Sequence, residues 1–252
     1  KGHKMSAGPL FVLMLGSSAS SPLWQLDDES TFSALVHIPP VVSASPLPLL
    51  LYLHGAGESG NSVRGLISEG ATGTPPVELE QGTALPVLRD QFVVVAPQTD
   101  HGWNVDEVVR FLDFLLSPRS KLPDIDPTRC YVTGHSMGGA GALAAATSHR
   151  FAAAVPVAPA GSVPPSSLRG VPVWAFHGAN DIVVPSFYSE RLIKALRRAG
   201  ASEREAILTL FSEAPAPLGW PSYTGHGSPM PAYRQPELYE WLLQCKHDSP
   251  QT

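Results

Sequence analysis

The segment Gly134–Gly138 constrains this chain more than any other. It reads Gly-His-Ser-Met-Gly, with glycines two positions before and two positions after a serine. A β-branched run typical of a strand, Cys130–Thr133, precedes it, and the run of small residues Gly139–Thr147 that follows is typical of a helix. In that setting the pattern predicts a nucleophile elbow, a sharp strand-to-helix turn that projects the Ser136 hydroxyl out of a sheet. The alternative is a serine that only caps a helix.

Length and composition fit one α/β domain with a full hydrophobic core. The chain has 252 residues, of which 43% are hydrophobic, and its net charge of −5 comes without a long run of either sign. Nucleic-acid binding would need a basic stripe, so no nucleic-acid partner is expected. No run of 18 apolar residues is present, so no transmembrane segment is predicted. The two cysteines, Cys130 and Cys245, cannot form a disulfide framework or a zinc site.

Short apolar runs alternate with helical patterns along the chain. This alternation predicts an α/β fold with a mostly parallel central sheet, helices on both faces and no separate cap domain. We place the catalytic domain at residues 32–246, between an N-terminal segment (1–31) and a tail (247–252). The predicted strands are Phe32–Ile38, Leu47–Leu53, Phe92–Ala96, Cys130–Thr133, Ala152–Val157, Val171–Phe176 and Ala206–Phe211. The predicted helices are Val105–Leu116, Met137–Ser148, Pro185–Ala199 and Pro236–Cys245.

The first residues support two interpretations. Lys1 and Lys4, the apolar run Leu10–Leu15 and the small residues Gly16–Ser21 are similar to a short signal peptide. A retained edge strand over Leu10–Leu15 fits the same pattern. Retention is favoured, and with it the cytoplasm, whereas secretion follows if the apolar run is a signal-peptide core.

An acyl-transfer serine needs a base and an acidic group that orients the base. Asp181 is the best acid, because it follows the apolar strand Val171–Phe176 at the edge where parallel strands end. A cap on the following helix is the alternative. His226 is the best base, in the loop Gly225–Gly227 between the last strand and the last helix. An exposed loop histidine is the alternative for this position. Ser136, Asp181 and His226 then follow one another in the order serine, acid, histidine.

The oxyanion hole needs two backbone N–H groups. One is expected from Met137, the residue after the nucleophile, and the second from the loop that follows an early strand. The strand Leu49–Leu53 runs into a glycine-rich loop, where the backbone can approach a substrate oxygen closely. We place the second donor at Ala56, with Gly57 as the alternative. Glu58 in the same loop either binds a substrate hydroxyl or, as we favour, stabilises the turn.

Eight segments carry a family resemblance: Leu51–Gly60, Val94–Gln98, Trp103, Asp126–Gly134, Ser136–Gly139, Phe151–Pro156, Phe176–Gly178 and Glu237–Leu243. They resemble the α/β-hydrolase branch of predicted peptidases, close to polyhydroxybutyrate-depolymerase-like and feruloyl-type esterases. The resemblance runs from about Phe32 to Cys245 and implies an α/β-hydrolase fold with a serine triad. It does not specify the substrate, because the carboxylesterase and acyl-protein-thioesterase branches share this machinery.

Two departures from the family concern the substrate. Ser228–Pro231 stands where the family usually has a tryptophan shortly after the catalytic histidine. The segment Ser212–Thr224 is longer than its counterpart in the family and carries Trp220 and Tyr223. We expect it either to wall the acyl pocket or to be a lengthened surface loop.

Four further pocket residues are expected from their positions at strand ends. His54 and Gly55 belong to the glycine-rich loop, and Gln98 and Trp103 follow the strand Phe92–Ala96. Packing against its own helix is the alternative for Trp103.

Together these residues predict a serine hydrolase without a cofactor or metal. It would cleave a carboxylic ester or thioester of a small molecule through an acyl-enzyme on Ser136. A peptidase is a weaker alternative, because esters have the better leaving group. A lyase or acyltransferase could use the same triad, and a non-catalytic receptor could use the same scaffold, although receptors usually lose a triad residue. The natural substrate, its acyl-chain length and the oligomeric state stay open.

Overall fold

The protein is described by a computed structural model over residues 23–27, 32–40 and 45–247. The run Leu10–Leu15 lies outside the described residues. Within them, the strands are β1 (Trp24–Asp27), β2 (Ser33–His37), β3 (Leu47–Leu53), β4 (Val93–Pro97), β5 (Ile125–His135), β6 (Ala153–Val157), β7 (Val173–Gly178) and β8 (Ala206–Phe211). The α-helices are α1 (Pro75–Glu80), α2 (Pro86–Gln91), α3 (Val105–Leu115), α4 (Met137–Ala146), α5 (Phe187–Arg198), α6 (Pro229–Ala232) and α7 (Pro236–Gln244).

All eight strands form one sheet in the order β1-β2-β4-β3-β5-β6-β7-β8. Strands β1 and β2 are antiparallel to their neighbours, and the pairs from β4 to β8 are parallel. The predicted mostly parallel sheet is therefore confirmed. The sheet also includes β1, which precedes residue 32 and was not predicted. Only Leu26 of its four residues is buried, so the sequence carries too little alternation to reveal this strand.

Helices cover both faces of the sheet, as the sequence predicted. One buried cluster joins the sheet to α3, α4 and α5, and a second joins its other face to α1, α2, α6 and α7. Strand β3 is buried at every position, which explains its continuous apolar sequence. Helix α4 consists of small residues because it packs closely. A Cβ on Gly141 would lie 2.7 Å from the Trp103 side chain, and one on Gly139 would lie 2.8 Å from the Val157 carbonyl oxygen.

The four helices predicted from sequence are confirmed, with ends that differ by no more than two residues. Helices α1, α2 and α6 were not predicted, because segments of four to six residues are too short for a helical period to be visible. Each starts with a proline, Pro75, Pro86 or Pro229, a residue suited to the first helical position. In the described ranges, no helix is long and apolar enough to span a bilayer.

Candidate active site

Ser136 occupies a sharp turn between the end of β5 and the start of α4. Its backbone has φ 56° and ψ −114°, a conformation that is strained for a residue with a side chain. Backbone hydrogen bonds hold it there. The Ser136 amide donates to the Val157 carbonyl at 2.9 Å, and the Ser136 carbonyl accepts from the amides of Ala140 at 3.0 Å and Ala160 at 2.9 Å. Strand β6 and the first turn of α4 thus fix the serine in this geometry.

The two motif glycines are required by close backbone contacts. A Cβ on Gly138 would lie 1.9 Å from the Leu53 carbonyl oxygen, and a Cβ on Gly134 would lie 2.4 Å from the Gly138 carbonyl oxygen. No side chain fits at either distance. The turn can therefore sit against the end of β3 only because both positions are glycine.

Asp181 and His226 meet at the carboxyl end of β7. His226 Nδ1 lies 2.8 Å from Asp181 Oδ2, and the Asp181 side chain is fully buried. The other carboxylate oxygen, Oδ1, accepts from the amides of Val183 at 2.8 Å and Val184 at 2.9 Å. Because a carboxylate only accepts, His226 Nδ1 donates, which leaves Nε2 as the free basic nitrogen of the neutral ring.

The Asp181 carboxylate is stabilised in its charged form. Burial by itself raises the pKa of the Asp181 carboxyl, but hydrogen bonds from His177, His226 and the Val184 amide outweigh burial and hold that pKa well below its usual range. His177 Nε2 lies 2.9 Å from the Val184 carbonyl oxygen and 3.5 Å from Asp181 Oδ2, while His177 Nδ1 lies 2.8 Å from Ser189 Oγ. His177 thus orders the loop that carries Asp181.

His135, the second residue of the motif, supports His226. Its Nε2 donates to the His226 carbonyl oxygen at 2.9 Å, and the centroids of the two rings lie 4.6 Å apart. Burial, followed by the charge of a protonated His226, lowers the pKa of His135 to about 3. His135 is therefore held neutral. Sequence reasoning missed it, because the motif accepts any residue at this position.

The glycine-rich loop faces Ser136 across the site. Residues Ala56–Glu58 form a short 3-10 turn, and Glu58 Oε2 accepts from the Gly55 amide at 2.7 Å, which closes the turn. Ala56 and Gly57 both line the catalytic cavity. Met137 is the first residue of α4, where a backbone N–H has no acceptor inside the helix. Ala56 lines the same cavity as Ser136, and Met137 follows Ser136 directly; their role as oxyanion donors stays a prediction.

His54 and Trp103, which were expected in the pocket, brace this loop from behind. His54 is fully buried; its Nδ1 donates to the Gly55 carbonyl oxygen at 2.7 Å, and its Nε2 accepts from the Thr99 amide at 3.1 Å. Trp103 Nε1 donates to the His54 carbonyl oxygen at 3.0 Å. Gln98 also acts on the loop, since its Nε2 donates to the Glu58 carbonyl oxygen at 2.5 Å. None of the three lines the cavity beside Ser136.

A cavity of about 400 Å³ opens beside Ser136 and His226. No hydrogen bond joins the Ser136 hydroxyl to His226 within the described chain. Besides these two residues and His135, the lining comes from four segments. The glycine-rich loop contributes Gly55, Ala56, Gly57 and Glu58, and the short 3-10 turn Glu69–Ala71 contributes Gly70. The loop that carries Asp181 contributes Val183, and the segment Ser212–Thr224 contributes Pro217, Trp220 and Tyr223.

The segment Ser212–Thr224 therefore forms part of the cavity wall. Trp220 and Tyr223 line the cavity while 47% and 38% of their surface stays exposed. Asn180 anchors the segment: its Oδ1 accepts from the Ala214 amide at 2.8 Å, and its Nδ2 donates to the Ala214 carbonyl oxygen at 3.0 Å. Asn180, the residue before Asp181, thus connects the segment that carries Trp220 and Tyr223 to the end of β7.

Comparison with known proteins finds similarity to hydrolases. A family model described as PET hydrolase-like (PETase) matches residues 102–199, a range that includes Ser136 and Asp181 and ends before His226. Among solved structures, a thermostable esterase is 27% identical over 89% of this chain and 62% of its own, with a TM-score of 0.67. No curated protein matches this chain.

Two more distant structures share the fold. Thermogutta terrifontis esterase 2 phosphorylated by paraoxon is 17% identical over 75% of this chain and 82% of its own, with a TM-score of 0.52. Pyrococcus horikoshii acylaminoacyl peptidase is 15% identical over 92% of this chain and 43% of its own, with a TM-score of 0.56. The chain spans less than two thirds of the length of the thermostable esterase. The chain has an α/β-hydrolase fold, and its similarities lie with esterases that share this fold.

Proposed function

We propose that this chain is a serine hydrolase that cleaves a carboxylic ester or thioester of a small molecule through an acyl-enzyme on Ser136. One observation carries the proposal. Asp181, fully buried, holds His226 Nδ1 at 2.8 Å, and His226 lines the same cavity as the serine of a strained strand-to-helix turn. This arrangement supports activation of the Ser136 hydroxyl by His226.

In the first step, Ser136 Oγ attacks the acyl carbonyl carbon and His226 Nε2 takes the hydroxyl proton. Asp181 keeps the proton of the neutral ring on Nδ1 and stabilises the imidazolium that forms. The amides of Met137 and Ala56, with Gly57 as the alternative to Ala56, hold the developing oxyanion. One such donor typically contributes about 10²- to 10³-fold in rate.

In the second step, the carbon–oxygen or carbon–sulfur bond to the leaving group breaks, and His226 returns its proton to that group. Water then enters, gives a proton to His226 and attacks the acyl carbon, which releases the acid and restores the Ser136 hydroxyl. Every proton is carried by His226, so this scheme needs no cofactor.

Three arguments favour the hydrolysis of a small-molecule ester or thioester over the alternatives. The cavity of about 400 Å³ has the volume of a small-molecule site. An alkoxide or thiolate is also a better leaving group than an amine. A receptor that binds without turnover would not need Ser136, Asp181 and His226 together, and this chain has all three.

Labelling with a fluorophosphonate probe tests the proposal. The wild-type protein should become labelled and should hydrolyse p-nitrophenyl acetate. Ser136→Ala should do neither, because the attacking oxygen is gone. Ser166→Ala is the matched control, since Ser166 is exposed on a short 3-10 turn and does not line the cavity, and it should behave as wild type. Label retained on Ser136→Ala would overturn the assignment of the nucleophile.

A further inference from the structure

The catalytic cavity carries one carboxylate and two aromatic rings besides the proposed reacting groups. Glu58, Trp220 and Tyr223 all line it, and no lysine or arginine is among its lining residues in the described chain. An anionic substrate group would therefore meet no basic side chain apart from the histidines. A cationic group would meet a negative charge and two electron-rich ring faces.

Within the described part of the chain, Glu58 has no cationic partner. It is buried, only 8% exposed, and Oε2 accepts from the Gly55 amide at 2.7 Å. In the described residues it forms no ion pair with a lysine, an arginine or a histidine. Burial raises the pKa of the Glu58 carboxyl, while hydrogen bonds from the Gly55 and Glu58 amides, and then the charge of a protonated His226, lower it. The proposed mechanism starts with His226 neutral, so a bound cation would supply the missing counter-charge.

The aromatic pair provides a second contact for a cation. The ring centroids of Trp220 and Tyr223 lie 5.2 Å apart, and Tyr223 lies 6.4 Å from His226, so the pair reaches the reacting groups. Gly70 leaves room for Trp220, because a Cβ there would lie 3.1 Å from Trp220 Nε1. Tryptophan and tyrosine faces attract ammonium groups, and quaternary ammonium ligands are commonly held by such aromatic surfaces.

We propose that the site selects esters that carry an ammonium group, with Glu58 as its counter-ion and Trp220 and Tyr223 as its aromatic wall. This specificity rests on the proposed hydrolase function. Glu58 is a binding residue in this scheme, and its contact with the Gly55 amide holds its carboxylate beside Gly55, which also lines the cavity.

Three acetate esters of similar size test the specificity. They are acetylcholine, its uncharged isostere 3,3-dimethylbutyl acetate, and the acetyl ester of 4-hydroxybutanoate, which carries a carboxylate. For the wild-type protein we expect kcat/KM to be highest for the cationic ester, lower for the neutral ester and lowest for the anionic ester. Equal values for the cationic and neutral esters would overturn the proposal.

Glu58→Gln separates charge recognition from the structural role of this residue, because the amide oxygen can still accept from the Gly55 amide. The ratio of kcat/KM for the cationic ester to that for the neutral ester should fall about tenfold. Trp220→Leu should reduce the same ratio about threefold. Glu240→Gln is the matched control, since it removes one exposed negative charge on α7 and should leave the ratio unchanged. An unchanged ratio in Glu58→Gln would contradict the proposal.

Binding to a protein that cannot turn over distinguishes this inference from the proposed function. Calorimetry should show that Ser136→Ala binds acetylcholine more tightly than 3,3-dimethylbutyl acetate, and that adding Glu58→Gln removes the difference. If Ser136→Ala prefers the cation while the wild type hydrolyses no ester, the hydrolase proposal fails and cation recognition stands. If Ser136→Ala shows no preference, cation recognition fails whatever the wild-type activity.

Discussion

The nucleophile elbow and the segment Ser212–Thr224 meet at one cavity but are held in different ways. The elbow, Gly134–Gly138, is held by backbone contacts with β3 and β6, and no Cβ fits at its glycines. The segment is held by a few hydrogen bonds, chiefly those of Asn180 with the backbone of Ala214, and its aromatic side chains stay partly exposed. The difference indicates that the elbow fixes the position of Ser136, whereas the sequence of the segment can change to suit a different substrate.

The largest effect should come from adding one methyl group to the elbow. In Gly138→Ala the new Cβ would lie 1.9 Å from the Leu53 carbonyl oxygen, so β3 and α4 must separate. We expect the free energy of unfolding to fall by at least about 3 kcal/mol, measured by urea denaturation. Gly57→Ala is the control, because nothing lies within 4 Å of its Cβ. Equal stability of Gly138→Ala and wild type would show that the elbow is not held by this contact.

The pH dependence of stability tests the support that the elbow gives to His226. The pKa of His135 is about 3 in the folded protein, against about 6.5 for an unperturbed histidine. The unfolded chain therefore binds the extra proton as the pH falls below about 6.5, and stability is lost towards pH 3. For His135 alone, the free energy of unfolding should fall by about 2 kcal/mol between pH 7.5 and pH 5. His135→Gln should remove that part of the dependence, as measured by urea denaturation at both pH values.

An exposed histidine provides a control of opposite sign. The carboxylates of Asp100 and then Glu107 raise the pKa of His101, so its contribution is present at low pH and is lost as the pH rises through its folded pKa. His101→Gln should therefore make the protein relatively less stable at pH 5 than at pH 7.5. The same pH dependence in both variants would contradict the buried, neutral state of His135.

Relief of the backbone strain at Ser136 should raise stability, by less than the loss expected in Gly138→Ala. Ser136 has a positive φ of 56°, which glycine adopts without a Cβ clash. Ser136→Gly should raise the free energy of unfolding by about 1 kcal/mol while it abolishes ester hydrolysis. Ser136→Ala keeps the strain and should leave stability near that of wild type. A thermal melt of both variants checks the comparison, and a loss of stability in Ser136→Gly would show that this turn is not strained.

The smallest effect on stability is expected in the segment before His226. Trp220 is 47% exposed, so Trp220→Ala should change the free energy of unfolding by no more than about 0.5 kcal/mol. Its effect should lie in substrate choice, measured as a lower ratio of kcat/KM for acetylcholine to that for 3,3-dimethylbutyl acetate. If stability fell by as much as in Gly138→Ala, the contrast between the two regions would be lost.

Much of the fold and of the candidate site could be predicted from the sequence. Strands β3, β4 and β6 are short apolar runs because they are covered on both faces. Helices α3 and α5 carry a visible helical period, and the small residues of α4 follow the elbow. Ser136, Asp181 and His226 could be chosen because each follows a strand and parallel strands end at one edge. Strand β1 and the short proline-initiated helices were missed, since so few residues carry no period.

The sequence by itself determined the fold class, the elbow and the order of the candidate triad, because local spacing and turn chemistry encode them. Only the tertiary structure decided which side chains face the substrate. His54, Gln98 and Trp103 follow strand ends, as pocket residues do, yet their hydrogen bonds turn them towards the glycine-rich loop. Glu58 borders the cavity, and His135 contacts the ring and backbone of His226, 91 residues along the chain. Such contacts depend on side-chain direction and long-range packing, which no local pattern records.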